Sequence, residues 1–342
     1  FCTLLKRENH MFQKMISRQL QGNFASRMRH VWSHRFASYS VRGAQGMIGF
    51  VAGCTMAAGM TCCETPSVNS KKPLRQPFDV EAIRAEIEAL ISDDLTNGPL
   101  LVRLAWHEAA SWDQNKKDGA PNTASMRFAP ECKYGGNNGL EKGRALLEPI
   151  KKRHPSISYA DLWVFAANVA ISSMGGPDIP FRYGRVDAKD GSVCAEARLP
   201  DGAKTQDHVR DTFLHRLGFT DRETVALIGA HSVGECHADR SGFVGPWTHD
   251  RFGFDSSFFS ELLENDWILD TRYPQLQFTD SKTRRLMMLP SDVALILDKE
   301  YLKYVKLYAE DQDLWWADFA KAFQKLTELG THNLKDLPMP SQ

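Results

Sequence analysis

Apolar side chains along this chain recur three and four positions apart, the spacing of a helix with one buried face. Asp79 is placed to cap a helix that turns Val80, Ile83, Ile87 and Leu90 inward. Asn97-Gly98-Pro99 opens a second helix, with Pro99 near its first turn and an apolar run as far as His107. Thr220 and Glu223 have the spacing of a capping box ahead of Val225, Ala226, Leu227 and Ile228, and Gly234 supplies a stop. The last long helix is predicted from Gln312 to Leu329, with Trp315, Phe319, Phe323 and Leu326 on one stripe and Gly330 closing it. Strand-like alternation is not convincing anywhere. The pattern predicts an all-α body in two helical lobes over residues 78–331, followed by a tail at 332–342.

The pattern changes before the body. Residues 1–42 are basic, and Phe12, Ile16 and Leu20 share a helical face beside Lys14 and Arg18. That is the composition of a mitochondrial import sequence; an untranslated or disordered basic tail is the alternative. Residues 43–63 form a run of 21 positions without a charge, about 30 Å as a helix and enough to cross a bilayer. Gly49 and Gly53 form a small-xxx-small pair within this candidate transmembrane anchor. The basic flank places the body across the membrane from the leader. An inner mitochondrial membrane with the body toward the intermembrane space satisfies that topology, and so does an endoplasmic-reticulum anchor. Residues 64–77 hold three prolines and read as a linker.

Formal net charge is zero, but residues 1–66 carry eight bases against two acids, leaving 34 bases and 40 acids for the remainder. An acidic body favours a basic partner and argues against nucleic acid. Of seven cysteines, only Cys132, Cys194 and Cys236 lie in the body, with no CxxC pair and no CxxCH haem-attachment motif.

Chemistry concentrates on two helices. Arg103, Trp106 and His107 are spaced i, i+3, i+4, so a guanidinium, an indole and an imidazole share one face. An arginine in so apolar a run is either paired with a carboxylate or turned toward a polar cavity. His107-Glu108 lacks the second histidine of a zinc helix. His231 follows Gly229 and Ala230, residues small enough for a flat group to approach; alone, it is either a satisfied core histidine or a ligand.

RLAWH and VALIGAHSVG together resemble the distal and proximal signatures of the class I haem peroxidases, the group of cytochrome c peroxidase and ascorbate peroxidase. The likeness continues in order through Asn137-Asn138-Gly139-Leu140, Gly184-Arg185-Val186-Asp187, Arg198-Leu199-Pro200-Asp201, Gly245-Pro246-Trp247 and Leu289-Pro290-Ser291-Asp292. It implies a two-lobed helical fold with haem b between the lobes, and reduction of hydrogen peroxide to water through ferryl haem and a tryptophan radical. On that resemblance His107 carries the peroxide proton, Asn137 fixes its tautomer, and Arg103 stabilises the departing hydroxide while Trp106 bounds the pocket. His231 is the implied iron ligand, Asp292 accepts its N–H, and His237 belongs with the haem-binding residues. Trp247 is either the radical residue or a packing residue after a Gly-Pro turn.

The resemblance leaves the electron donor divided. Met287-Met288 and the acidic body point to cytochrome c. Arg240 matches the arginine that holds ascorbate, but its companion lysine is replaced by Leu95. Ser232, Thr248, Asp250, Asp255 and the carbonyl of Gly253 match a proximal cation site suited to K⁺ or Ca²⁺. Asp250 either joins that site or faces outward to a basic partner. Cys236 is either a radical site or inert filler. A haem-binding electron-transfer or sensor module is the rival class, although it needs neither the arginine nor the distal histidine.

Overall fold

The computed structural model describes residues 77–191 and 194–337. The basic leader, the uncharged run 43–63, most of the linker and the last residues of the tail lie outside the described residues. Among the described residues no helix is long and apolar enough to cross a membrane.

Asp79 does cap α1 (Val80–Asp93), its carboxylate accepting the Ala82 N–H at 3.0 Å. Ile83 and Ile87 are buried as expected, but the third turn buries Ile91, and Leu90 lines a cavity instead. A stripe continued at 3.6 residues per turn runs from 87 to 91 rather than 90. α2 (Asn97–Ala109) carries the Arg103, Trp106 and His107 face. α3 (Leu140–Arg153) packs against it, and α4 (Tyr159–Ser173) lies beneath both α1 and α2. Every residue of α4 from Ala160 to Ile171 is buried, so it is the central helix of this lobe. Its one carboxylate there, Asp161, is met by Arg185 at 2.8 Å, and Arg185 also donates to the Thr327 carbonyl. Arg185 thus ties the first lobe to the last helix.

In the second lobe α5 (Gln206–Arg210) runs into a wider π-helical turn at Asp211–Arg216. α6 (Asp221–Ile228) starts with the full capping box: Glu223 N–H donates to Thr220 Oγ1 and Thr220 N–H to the Glu223 carboxylate. It stops at Ile228, where the apolar run ends and short of the expected stop at Gly234. Gly229 opens a tighter turn to Ser232, and a Cβ there would lie 2.6 Å from the Phe259 ring and 2.7 Å from Trp315 Nε1. Only glycine lets the helix end drop this close to its neighbours. α7 (Ser257–Glu264), α8 (Pro290–Leu297) and α9 (Lys299–Glu310) complete the lobe. α10 (Gln312–Glu328) packs against both α6 and α2, burying Trp315, Phe319, Phe323 and Leu326.

Small antiparallel pairings supplement the helices, which the sequence pattern did not reveal. Trp267–Leu269, Phe278–Asp280 and Met287–Met288 form a three-stranded sheet. At two or three residues each, its strands are too short to show alternation. Glu235–Cys236 pairs with Gly245–Pro246, and Lys335–Asp336, within the expected tail, pairs with Arg182–Tyr183.

Candidate active site

A cavity of about 1090 Å³ separates α2 from the turn after α6. Arg103, Trp106 and His107 line one side, and His231 and Trp247 line the other. His237, Arg240 and Cys236 stand in the same wall. The tertiary structure therefore brings the two histidine-bearing segments face to face.

On the α2 side, Arg103 is held by carbonyls and not by a carboxylate: its guanidinium donates to Asn138 O at 3.0 Å and Gly136 O at 3.1 Å. Burial, with the Arg240 charge adding to it, brings its pKa down to about 10, so it remains a cation at neutral pH. Trp106 stacks on Phe213 from the π-helical turn, with ring centroids 5.4 Å apart and planes 5° from parallel. His107 Nδ1 meets Asn137 Oδ1 at 3.2 Å, and Asn137 Nδ2 donates to Glu131 O at 3.0 Å. That second bond fixes the first. A carbonyl only accepts, so the Asn137 amide must turn its NH₂ to Glu131 and its oxygen to His107. Nδ1 of His107 then carries the proton, and Nε2 is left as the base. Burial, reinforced by the Arg103 charge, holds the His107 pKa well below its usual value, against a smaller opposing effect of the Asn137 bond. The ring is neutral at pH 7.

Across the cavity His231 Nδ1 donates to Asp292 Oδ1 at 2.9 Å. The Trp247 indole N–H and the Leu289 amide both end on Asp292 Oδ2, each at 2.9 Å. Asp292 is fully buried in the first turn of α8, behind Pro290, where the helix dipole favours a carboxylate. With Nδ1 committed, the free nitrogen of His231 is Nε2.

These residues fit haem b. One imidazole offers an uncommitted nitrogen, and the wall beside it includes Ala230 and Gly234, whereas Gly229 faces Phe259 and Trp315 instead of the cavity. At the edge, His237 Nδ1 and Arg240 Nε are buried without hydrogen-bond partners, as donors awaiting an acidic substituent would be. His237 Nε2 lies 3.7 Å from Glu235. Cys236 is not a thiolate site, since burial pushes its thiol up to about 12.

Ser232, Thr248, Asp250, Gly253 and Asp255 also come together. Thr248 Oγ1 lies 2.7 Å from Ser232 O and 3.1 Å from Asp250 O, while Ser232 Oγ is buried without a partner. Both carboxylates approach Gly253: a Cβ there would lie 2.7 Å from Asp250 Oδ2 and 3.7 Å from Asp255 Oδ2. Asp250 is nevertheless exposed, and its Oδ1 accepts the Phe252 amide. Among the described residues no group of three or more His, Cys, Asp or Glu is arranged for a metal ion. A cation here would depend on hydroxyl and carbonyl oxygens as well as the two carboxylates. Met287 is buried against Gly245, two residues before Trp247. Leu95, in the place of the companion lysine, is 51% exposed.

Several contributors escaped sequence reasoning. Arg216 donates to the carbonyls of Ala110 and Trp112, and Arg198 to that of Ser111, fastening the end of α2. Glu108, Ser125 and Glu131 lie buried behind His107. A glutamate within so apolar a helix was the available signal, since an unpaired buried carboxylate is costly.

Comparison with known proteins agrees with this geometry. The family model described as "Peroxidase" matches residues 83–311. The chain is similar to three proteins named "Cytochrome c peroxidase, mitochondrial". It is 45% identical to that of Aspergillus fumigatus over 296 residues, 86% of this chain and 79% of the relative. For Pyricularia oryzae the figures are 42% over 314 residues, 88% and 86%. For Neurospora crassa they are 44% over 257 residues, 74% and 72%.

Proposed function

Because this chain belongs to the class I haem peroxidase family, we propose that it reduces hydrogen peroxide to water with electrons from cytochrome c. The observation that carries the reading is the pair of imidazoles across one cavity, each held at Nδ1 so that Nε2 is free. Haem bound at His231 supplies the redox-active iron at which peroxide is cleaved. The neutral His107 takes a proton from one peroxide oxygen and returns it to the other, which leaves as water. Arg103 holds positive charge where hydroxide character develops. Two electrons and two protons per peroxide complete the conversion to two waters.

Asp292 has two tasks. As acceptor from His231 it gives the imidazole anionic character, which favours oxidised iron. As acceptor from Trp247 it places negative charge beside the indole and lowers the cost of a cation radical there. Electrons enter one at a time through that residue. The acidic body suits a basic partner such as cytochrome c.

The mitochondrion is the compartment named for the relatives, and the basic leader is consistent with it. The uncharged run 43–63 supports an inner-membrane anchor with the catalytic body toward the intermembrane space. Ser232, Thr248, Asp250, Gly253 and Asp255 are assigned a K⁺ or Ca²⁺ ion, on the strength of the orphaned Ser232 hydroxyl. Arg240, a cation in the cavity wall, favours ascorbate as a second, weaker donor. Steady-state turnover of the haem-loaded chain with each donor at matched concentration tests the order. Cytochrome c is expected to be faster, and faster turnover with ascorbate overturns the assignment.

A further inference from the structure

The residues that position His107 close into a ring. Glu108 follows His107 on α2 and is 3% exposed. Its Oε1 accepts the amides of Thr123 at 3.3 Å and Ser125 at 3.0 Å, and its Oε2 that of Met126 at 3.3 Å. Ser125 Oγ lies 2.5 Å from Glu131 Oε2 and 3.5 Å from Glu108 Oε1. Glu131, 1% exposed, holds Asn137 through its main-chain carbonyl, and Asn137 holds His107. The path runs from His107 through Glu108, Ser125, Glu131 and Asn137 back to His107. One side is covalent, and the others are hydrogen bonds.

Two carboxyl groups joined through one hydroxyl and removed from water do not both ionise readily, because the second charge meets both desolvation and repulsion. The neighbours offer limited compensation. The loop contributes Ser125 and backbone amides, α3 contributes Arg144, whose charge draws Glu131 down, and the segment after residue 193 contributes the Cys194 thiol. That thiol is itself kept protonated by burial. Distal His107, on the same helix, is neutral.

We propose that Glu108 and Glu131 are positioning residues that share one proton through Ser125, and that this proton clamps the 123–131 loop to α2 so that Asn137 orients the His107 ring. Burial raises both carboxyls, and the Glu131 charge raises Glu108 further; the proton belongs to the pair rather than to either residue. Loss of that proton on alkalinisation leaves two charges facing each other, loosens the loop and releases the ring. The inference rests on the peroxidase reading for its consequence in turnover, but not for the shared proton itself.

The test uses the haem-loaded chain as wild type, Glu108→Gln, Glu131→Gln and Ser125→Ala. Isotope-edited infrared spectra of the wild type are expected to show one protonated buried carboxyl at neutral pH that disappears as pH rises. In the same alkaline window the peroxide rate constant of the wild type should fall by about 10-fold or more, the scale of penalty for a displaced catalytic group. Glu108→Gln keeps the shape, removes the second charge, and should abolish that alkaline fall. Ser125→Ala should lower the rate at neutral pH, because the bridge is gone. Superimposable alkaline limbs for wild type and Glu108→Gln, or no protonated carboxyl at neutral pH, overturn the proposal. If Glu108→Gln does not fold, Glu131→Gln carries the same two measurements. A wild type inert to peroxide sinks the peroxidase reading instead, while the infrared titration still decides whether the proton is shared.

Discussion

Trp247 lies flat against His231, with ring centroids 4.2 Å apart and planes 13° from parallel, and the two ring N–H groups end on different oxygens of Asp292. A single buried carboxylate thus governs both the ligand imidazole and the adjacent indole.

Asp292→Asn preserves shape but exchanges one acceptor oxygen for a donor NH₂, which cannot satisfy a second N–H. One of the two rings loses its partner, at a cost of about 1–3 kcal/mol for a buried unsatisfied group. Chemical denaturation of the haem-free variant should register that loss, and the haem reduction potential should rise because the imidazole is less anionic. An unchanged potential removes Asp292 from control of the ligand.

Trp247→Phe retains the stacked ring and loses the N–H and the easily oxidised indole. Cytochrome c turnover should be abolished while the first reaction with peroxide, followed by rapid mixing, keeps its rate. Retained turnover would show that electrons reach the haem by another route.

His107 has its pKa held well below 6.5 by burial and by Arg103. Its peroxide rate constant should therefore stay level as pH falls through the ordinary histidine range, and decline only well below it. The stability effect has a definite sign. Between the folded and unfolded pKa values the unfolded chain binds the extra proton, so this contribution is complete above about pH 6.5 and is lost as pH falls. His107→Leu should slow the peroxide reaction by about 10²–10⁴-fold, the usual worth of a positioned proton carrier.

The cation proposal predicts that chelation and dialysis into K⁺-free buffer lower the melting temperature, and that K⁺ or Ca²⁺ restores it. An ion at about 100 times its Kd contributes about 2.7 kcal/mol. Asp255→Ala should abolish the response; a response that survives this change places the ion elsewhere.

Much of this architecture was legible along the chain. The capping box at Thr220, the Asp79 cap and the Trp315-to-Leu326 stripe are local signals, read from spacing alone. The His107 and His231 segments were recognisable because each carries its chemistry within a few consecutive residues. The short strands were not, and the end of α6 was misplaced because the clash that forces glycine at 229 comes from Phe259 and Trp315, far along the chain.

The sequence by itself determined the helical class, the chemistry-bearing residue types and the face of α2 that presents them, since helical periodicity and capping act over a few residues. Only the tertiary structure decided that Arg103 is held by carbonyls and that Glu108, Ser125 and Glu131 stand behind His107. The physical reason is range: burial and hydrogen-bond partnership depend on segments tens of residues apart, and no periodicity records which of them meet.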